Sequence, residues 1–406
     1  MGRRVIAFLA GLCVFAACGL GEVGVVDQEK GDDIWIGPGN TVVGDSTEPG
    51  VGKKTWYTVG VDYPEGYDWR VDAEKGSVKC SLVVFANGIA MMKVPVGDKY
   101  EVSSDPDMHR MIGSSLYTYY STADETVIKR NGEQMFRYKG REMIVDMVVR
   151  EDNIYTLGQS RDSSGFSLRE NGRILLERSS GYPFQHLQVC DDGLSFAFCE
   201  ILGSGDIAQE RYYHYLSGEV CQVAVREDIK KVWDIIFLND KLCYLASMVG
   251  ISTPVLAVGN ELSPLKVPLT LELRNCRFMP DANDLNIEGI LYHKRLKVFS
   301  GLWKGTECKR AFSPGYIVAS MCGWDDALGC VLNSPLQGSG GIIYRGGESW
   351  AIPDGYMSMG GQTVAVVDGM FHVGLTSKTG DGVAVWVDNE MKPLKINGFI
   401  SHMSVD

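Results

Sequence analysis

The sequence predicts an all-β chain whose strands build a closed ring of like, four-stranded sheets, most simply eight of them. Three observations predict it. Gly is abundant, 48 of 406 residues, aromatics are scattered, and long helical stripes are few, which together favour turn-rich β structure. Hairpin-type dipeptides follow apolar runs at Asn87-Gly88, Asn131-Gly132, Asn171-Gly172, Ser217-Gly218, Gly259-Asn260, Lys304-Gly305, Gly346-Gly347 and Asn389-Glu390. Two-residue hairpin turns need φ > 0 at their centre, which Gly and Asn tolerate. The successive spacings, 44, 40, 46, 42, 45, 42 and 43 residues, centre on about 43, a period that identifies a repeated supersecondary unit.

The chain opens with "MGRRVIAFLAGLCVFAACGLGE". Arg3 and Arg4 supply a positive start, and Val5 to Ala17 is an apolar run of 13 residues, too short to cross a bilayer comfortably. Small residues precede Cys18. This pattern reads as an export signal over 1–17. "FAAC" at 15–18 resembles the lipobox of bacterial lipoproteins, with Phe15 where Leu is usual. That resemblance implies a lipid on Cys18 and an exported, envelope-anchored protein, in the outer membrane on either face. Gly2 lacks the Ser or Thr four residues on that myristoylation uses, since position 6 is Ile. No later apolar stretch is long enough to span a membrane, so the expected membrane contact is through the lipid alone.

Residues 18–54, rich in Gly and acidic residues, read as a flexible tether, within which "DIWIG" has the make-up of a strand that could dock on the domain. The repeating region is 55–406. A second marker travels with the turns: a polar-plus-apolar strand start, as in "SSLYTYY", "DNIYTLG", "DGLSFAF", "DKLCYLA", "NDLNIEG" and "DGMFHVG". Each unit then runs through a polar loop of variable length, a strand ending at the turn, and a short strand such as "RILLERS" after it. That makes about four strands per unit. A sheet of this size cannot shield both faces alone, so like neighbours stack around an axis, and closure removes exposed edges. The last segment, "GFISHMSVD", reads as an innermost strand that pairs into the first unit and closes the ring from both termini. Seven units plus an irregular one is the alternative count, and a pair of sandwiches fits strand content but not the regular period.

This period and turn pattern resembles the β-propeller superfamily over about residues 55–406. Joined to the lipobox, it looks like the propeller lipoproteins of Bacteroides-type bacteria. Trp233-Asp234 and Trp324-Asp325 are Trp-Asp dipeptides, but they read as lying ahead of strands, unlike those of WD40 repeats. "SRDSSGFS" at 160–167 and "SKTGDGVAVW" at 377–386 approach the sialidase Asp-box without its spacing; Ser, Asp and Gly serve turn formation in such loops.

In propellers the connections between blades, and those between the second and third strands, share one face, which implies a binding surface there. The connections between units carry Gly181-Tyr182, Gly315-Tyr316, Gly355-Tyr356 and Gly398-Phe399. Tyr182, Tyr316, Tyr356 and Phe399 could therefore ring the channel mouth and stack on a ligand, or pack between neighbouring blades. "EVSSDPDMHR" gathers Asp105, Asp107, His109 and Arg110, suited to acid–base work or cation binding, or to an ordinary Asp-Pro turn. "VDYPEGYDWR" brings Asp62, Tyr63, Glu65, Tyr67, Asp68, Trp69 and Arg70, and ring closure would make the two segments neighbours. His186 and His402 read as channel-lining, and His214, His293 and His372 as structural.

The net charge of −12, without a Lys/Arg cluster, excludes a nucleic-acid partner. Of eleven Cys, the nine besides Cys13 and Cys18 stand singly with no CxxC and read as small buried hydrophobes rather than metal ligands, with a disulfide or two open in an oxidising compartment. No G-x-S-x-G, H-E-x-x-H, P-loop or Rossmann pattern is present, and no motif specifies a cofactor or a catalytic residue. The expected function is a non-catalytic binding or scaffold module for a glycan, peptide or envelope protein. The alternative is a carbohydrate-active enzyme, a glycoside hydrolase or lyase, with carboxylates at the channel mouth.

Overall fold

The computed structural model describes residues 54–406 except 69–79, 97–108, 123, 191–192, 204–208, 224, 239–240, 269–270, 280–284, 294–296, 313–316, 325–326, 335–340, 360–361 and 380–381. The leader (1–17) and all of the tether (18–54) but Lys54 therefore lie outside the described residues.

The chain is an eight-bladed β-propeller. Every blade is an antiparallel sheet whose strands run from the channel outward in chain order, with one exception. Blade 1 takes Trp56–Asp62, Cys80–Ala86 and Ile89–Val96 from the start of the chain and its innermost strand, Gly398–Val405, from the end. Trp56 pairs with Val405 and Asp62 with Gly398, so the termini close the ring as the unpaired last segment predicts. Blades 2 to 8 begin at His109, Glu142, Tyr182, Ile229, Glu272, Ile317 and Tyr356. In blades 4 and 8 the inner position is filled by two short strands that pair with the same neighbour, Tyr182–Pro183 with Gln188–Cys190, and Tyr356–Met357 with Val364–Val367.

The repeated dipeptides are the hairpins between the third and fourth strands, and they lie on one face, here the lower. Asn87, Asn131, Asn171 and Ser217 adopt φ of 50°, 52°, 48° and 48°, each followed by a positive-φ Gly. Two assignments move by one residue. The strand Lys297–Lys304 includes Lys304, which leaves Gly305-Thr306 as the turn. In blade 8 the left-handed pair is Asp388 (φ 41°) and Asn389 (φ 77°), because Val383–Val387 ends a residue early and Asp, like Asn, tolerates αL. Of the Trp-Asp dipeptides, Trp324-Asp325 lies ahead of the strand Ala327–Asn333 as expected, and the other differs. Trp233-Asp234 sits inside the inner strand Ile229–Leu238, not ahead of it, and Trp324 ends Ile317–Trp324.

The core explains why the repeat must stack. The buried apolar residues fall into eight clusters, and each draws on two consecutive blades. Tyr117, Tyr119 and Ile128 of blade 2 pack with Ile144, Met147 and Ile154 of blade 3. Trp56, Phe85 and Ile400 of blade 1 pack with Val367 and Val385 of blade 8. Removing a blade would expose two such clusters, at about 25 cal/mol for each Å² of apolar surface. All nine described cysteines are free thiols. Six are buried and behave as core hydrophobes, while Cys221 is exposed.

Candidate functional site

Polar residues join the inner strands of the blades, and their placement follows from a β-bulge. In blade 3 the pairing shifts between Ile144 and Asp146, and in blade 5 between Val232 and Asp234, with Val145 and Trp233 as the extra residues. A bulge re-aims the next side chain, here toward the neighbouring blade. Asp146 accepts from its own neighbour Met147 N at 2.8 Å, from Leu187 N of blade 4 at 2.8 Å, and from the Arg110 guanidinium of blade 2. Asp234 repeats the arrangement: Ile235 N at 2.9 Å, Phe278 N of blade 6 at 2.8 Å, and His186 Nε2 of blade 4 at 3.0 Å. Two carboxylates thus join blades 2 to 6.

Hydroxyls take the same place elsewhere. After the blade 7 bulge, Ser320 Oγ accepts from Thr363 N of blade 8 at 2.9 Å. In blade 1 the bulged residue is Ser401 itself. Its Oγ donates to Val59 O at 3.1 Å and meets His109 Nε2 of blade 2 at 2.6 Å. With the hydroxyl proton directed at Val59, the His109 Nε2–H is the donor, and Nδ1 is left buried without a partner. Burial pushes the His109 imidazole down to about 4. It pushes His402 down to about 3, helped by the charges of His109 and Arg110 nearby. Both rings are therefore neutral near pH 7.

A third buried carboxylate, Glu142, lies at the interface of blades 2 and 3. It accepts from Ser167 Oγ at 2.8 Å, Tyr138 Oη at 3.0 Å and Arg169 Nη2 at 2.9 Å. Arg169 also stacks 4.2 Å above the Tyr138 ring. The site is fully hydrogen-bonded, the condition under which a buried ion pair is tolerated.

On the upper face of blade 1, the loop after Asp62 packs on the blade's closing strand. Asn397 Nδ2 donates to Pro64 O at 2.9 Å and Tyr67 O at 3.1 Å, and Asn397 N donates to Asp62 Oδ1 at 2.9 Å. Tyr67, Tyr63 and Phe399 form an aromatic ladder with centroids 5.2 and 6.4 Å apart. Burial raises the Tyr63 hydroxyl above the ordinary phenol range. Gly398 is required here because a Cβ would collide with the Val61 carbonyl, and Gly181 stands in the same relation to the Cys199 carbonyl in blade 4.

The residues singled out from sequence therefore separate. His109 and Arg110 are brought together, but as parts of the blade joints. Phe399 is buried in the interface of blades 1 and 2. Tyr182 packs with the apolar cluster of blades 4 and 5, and Tyr356 with that of blades 7 and 8. Their rings occupy the interblade positions given above as the second alternative for this repeat. Asp68 lies half-buried at the end of the described part of the blade 1 loop. Cys18, Arg70, Asp105, Asp107 and Tyr316 lie outside the described residues. Asp146 and Asp234 escaped the sequence reading; the visible signal was an Asp inside an apolar strand run, in "MIVDMVV" and "VWDIIF". Among the described residues no group of three His, Cys, Asp or Glu could hold a metal ion, and no helix is long and apolar enough to cross a membrane.

No family model and no curated protein matches the chain. Solved structures resemble it in backbone alone. An acylaminoacyl peptidase of Pyrococcus horikoshii is 9% identical, with a TM-score of 0.45, over 80% of this chain and 56% of that one. A eukaryotic initiation factor is 10% identical, with a TM-score of 0.44, over 81% of this chain and 85% of that one. A puromycin-hydrolysing peptidase of Mycobacterium tuberculosis is 11% identical, with a TM-score of 0.41, over 64% of this chain and 47% of that one. The chain thus spans about half the length of the peptidases it resembles.

Proposed function

We propose that the protein is a non-catalytic binding module, carried to the cell envelope by the leader at 1–17 and held there by a lipid on Cys18, which presents the upper face of its propeller to a ligand. One observation supports it above the rest. The three buried carboxylates of the inner strands each accept hydrogen bonds from three other residues of the protein. A general acid or base must reach its substrate's proton within hydrogen-bond distance, and glycoside hydrolysis needs two carboxylates facing one sugar. Asp146 and Asp234 have their oxygens turned to backbone N–H groups, Arg110 and His186 instead, and Glu142 has its oxygens turned to two hydroxyls and Arg169. His109 and His402 are buried and neutral, and they too belong to the joints.

The test is a thermal-shift screen of neutral and acidic glycans, peptidoglycan fragments and peptides on residues 55–406, followed by chromatography of any ligand found. A stabilising ligand recovered unchanged supports the reading; its conversion to a product overturns it. Anchoring is tested separately: Cys18→Ala should move the protein from the membrane fraction to the soluble one, and retention in the membrane would remove the lipid from the proposal.

A further inference from the structure

The upper face carries a pair of arginines that nothing in the fold accounts for. Arg161 N donates to Arg141 O at 2.9 Å, extending by one position the ladder in which Met143 faces Gln159 and Glu142 faces Ser160. Arg141 and Arg161 are therefore cross-strand partners on the same side of the blade 3 sheet as Met143 and Gln159. Like charges directly opposite each other on a sheet are destabilising. Both side chains are exposed, and among the described residues neither forms an ion pair or a side-chain hydrogen bond. Glu142, the chain neighbour of Arg141, points to the other side of the sheet and is held there by Arg169. Together with Met143, Gln159 and Ser160 the two arginines line an open depression of about 430 Å³.

The backbone under this pair is held in place from several directions. Gln159 Nε2 donates to Gly165 O at 2.8 Å and to Gly181 O at 3.2 Å, tying the loop after Arg161 to the start of blade 4. Ser160 Oγ accepts from Asp162 N at 3.2 Å and Ser163 N at 3.1 Å, which fixes the turn that follows Arg161. The Ser-Arg-Asp-Ser-Ser-Gly run that approaches an Asp-box in sequence thus serves to position an arginine.

We infer that this depression at the junction of blades 3 and 4 binds the acidic group of a charged saccharide through Arg141 and Arg161. Two guanidiniums supply parallel N–H donors, the geometry that planar oxyanions accept, and the chain's net negative charge leaves an isolated cationic spot selective. The lining is one thioether among donors and a hydroxyl, so it offers hydrogen bonds in a shallow cup and no deep apolar socket of the kind that anchors a peptide side chain. This inference rests on the binding-module reading and names its ligand class.

The test is calorimetry with the intact domain, 55–406, and three probes: a short galacturonic acid oligomer, the matching neutral galactose oligomer, and galactose 1-phosphate. Binding of the uronate, the phosphate or both, with no binding of the neutral oligomer, supports the inference, and the two acidic arms tell carboxylate from phosphate. Arg141→Met and Arg161→Met should each weaken that binding at least tenfold, while Arg141→Lys should weaken it less. Both Met variants should keep or slightly raise the melting temperature, since each removes a like-charge contact. Equal affinity for the neutral oligomer, or unchanged affinity in both Met variants, overturns the inference and leaves the binding-module reading standing. No binding of either acidic probe also overturns it, whereas conversion of a probe to product would strike the binding-module reading itself.

Discussion

Blades 3 and 5 meet their neighbours through carboxylates, and blades 7 and 1 meet theirs through hydroxyls. The position is the same in each case, at a bulge of the inner strand, and so is the task of capturing a group on the following blade. A carboxylate has two oxygens and about four acceptor sites, so Asp146 and Asp234 each reach backward to a nitrogen-bearing side chain, Arg110 or His186, and forward to a backbone N–H. A hydroxyl accepts fewer, and among the described residues Ser320 takes only the forward bond to Thr363. The comparison teaches that one backbone device can be served by side chains of different strength. The carboxylate version spans three blades but requires a side-chain donor and two N–H groups to offset its desolvation.

The sharpest way to break the comparison is Asp234→Ala. It would strand His186 and the N–H groups of Ile235 and Phe278 together, in a place where Asp234 is only 5% exposed. The expected loss is about 3–5 kcal/mol, the range for removing one partner of a buried charged network. Urea denaturation with a two-state fit should show it as a lower midpoint at unchanged slope. A loss under about 1 kcal/mol would mean that the carboxylate contributes no more than an ordinary hydrogen bond.

Asp146→Ser converts the charged joint of blade 3 into the kind that blade 7 uses. A shorter hydroxyl could keep one of the two backbone bonds, and Arg110 would keep its bond to Met147 O at 3.0 Å. About 2–3 kcal/mol should be lost, between the cost of one unpaired buried group and that of a broken ion pair. Arg110→Met in the same background should then cost less than it does in the unchanged protein, since its carboxylate partner is already gone. A strongly additive double variant would separate Arg110 from the joint.

Much of this ring was legible in the sequence, and the joints were not, for a physical reason. Asn-Gly turns announce themselves because φ > 0 restricts residue choice at each position. Asn131-Gly132 and Asn171-Gly172 could therefore be placed to the residue, while Asp388-Asn389 was off by one because Asp shares the tolerance of Asn. The closing strand was legible because "GFISHMSV" is largely apolar and follows the last of the eight turns, in the place an innermost strand takes in the other units. A bulge, by contrast, is a shift in pairing between two strands, and neither strand records it as a composition. Asp234 finds Phe278 N 44 residues away only once the blades are stacked. The Gly-aromatic pairs were visible as a repeat, but Gly398 and Gly181 are fixed by close backbone passage, and the rings after them by interblade packing. On the upper face, Arg161 stands inside a turn motif. Its partner Arg141 could not be read from local sequence, because the cross-strand opposition appears only with the register of blade 3.

A smaller effect separates the two hydroxyl joints. Ser320→Ala leaves the Thr363 N–H unpaired and should cost about 1–2 kcal/mol. The joint at Ser401 uses a neutral imidazole instead, which adds a pH dependence that the Ser320 joint lacks. His109 and His402 have folded-state values lowered to about 4 and about 3 by burial, against about 6.5 in the unfolded chain. The unfolded state therefore binds protons first as the pH falls. The stabilising contribution is complete above the unfolded value and is lost on acidification from about pH 6.5 toward 4 and below. Between pH 7 and 6 each ring should account for about 0.7 kcal/mol of lost stability, by the same linkage. Burial lowers His214 and His372 in the same direction. Melting temperatures taken across that interval should fall for the intact domain and fall less for His402→Gln, with the slope reduced further in a His109→Gln, His402→Gln double variant. An identical slope in all three would mean that these rings accept protons in the folded state as readily as in the unfolded one, and that the blade 1–2 joint survives their charging.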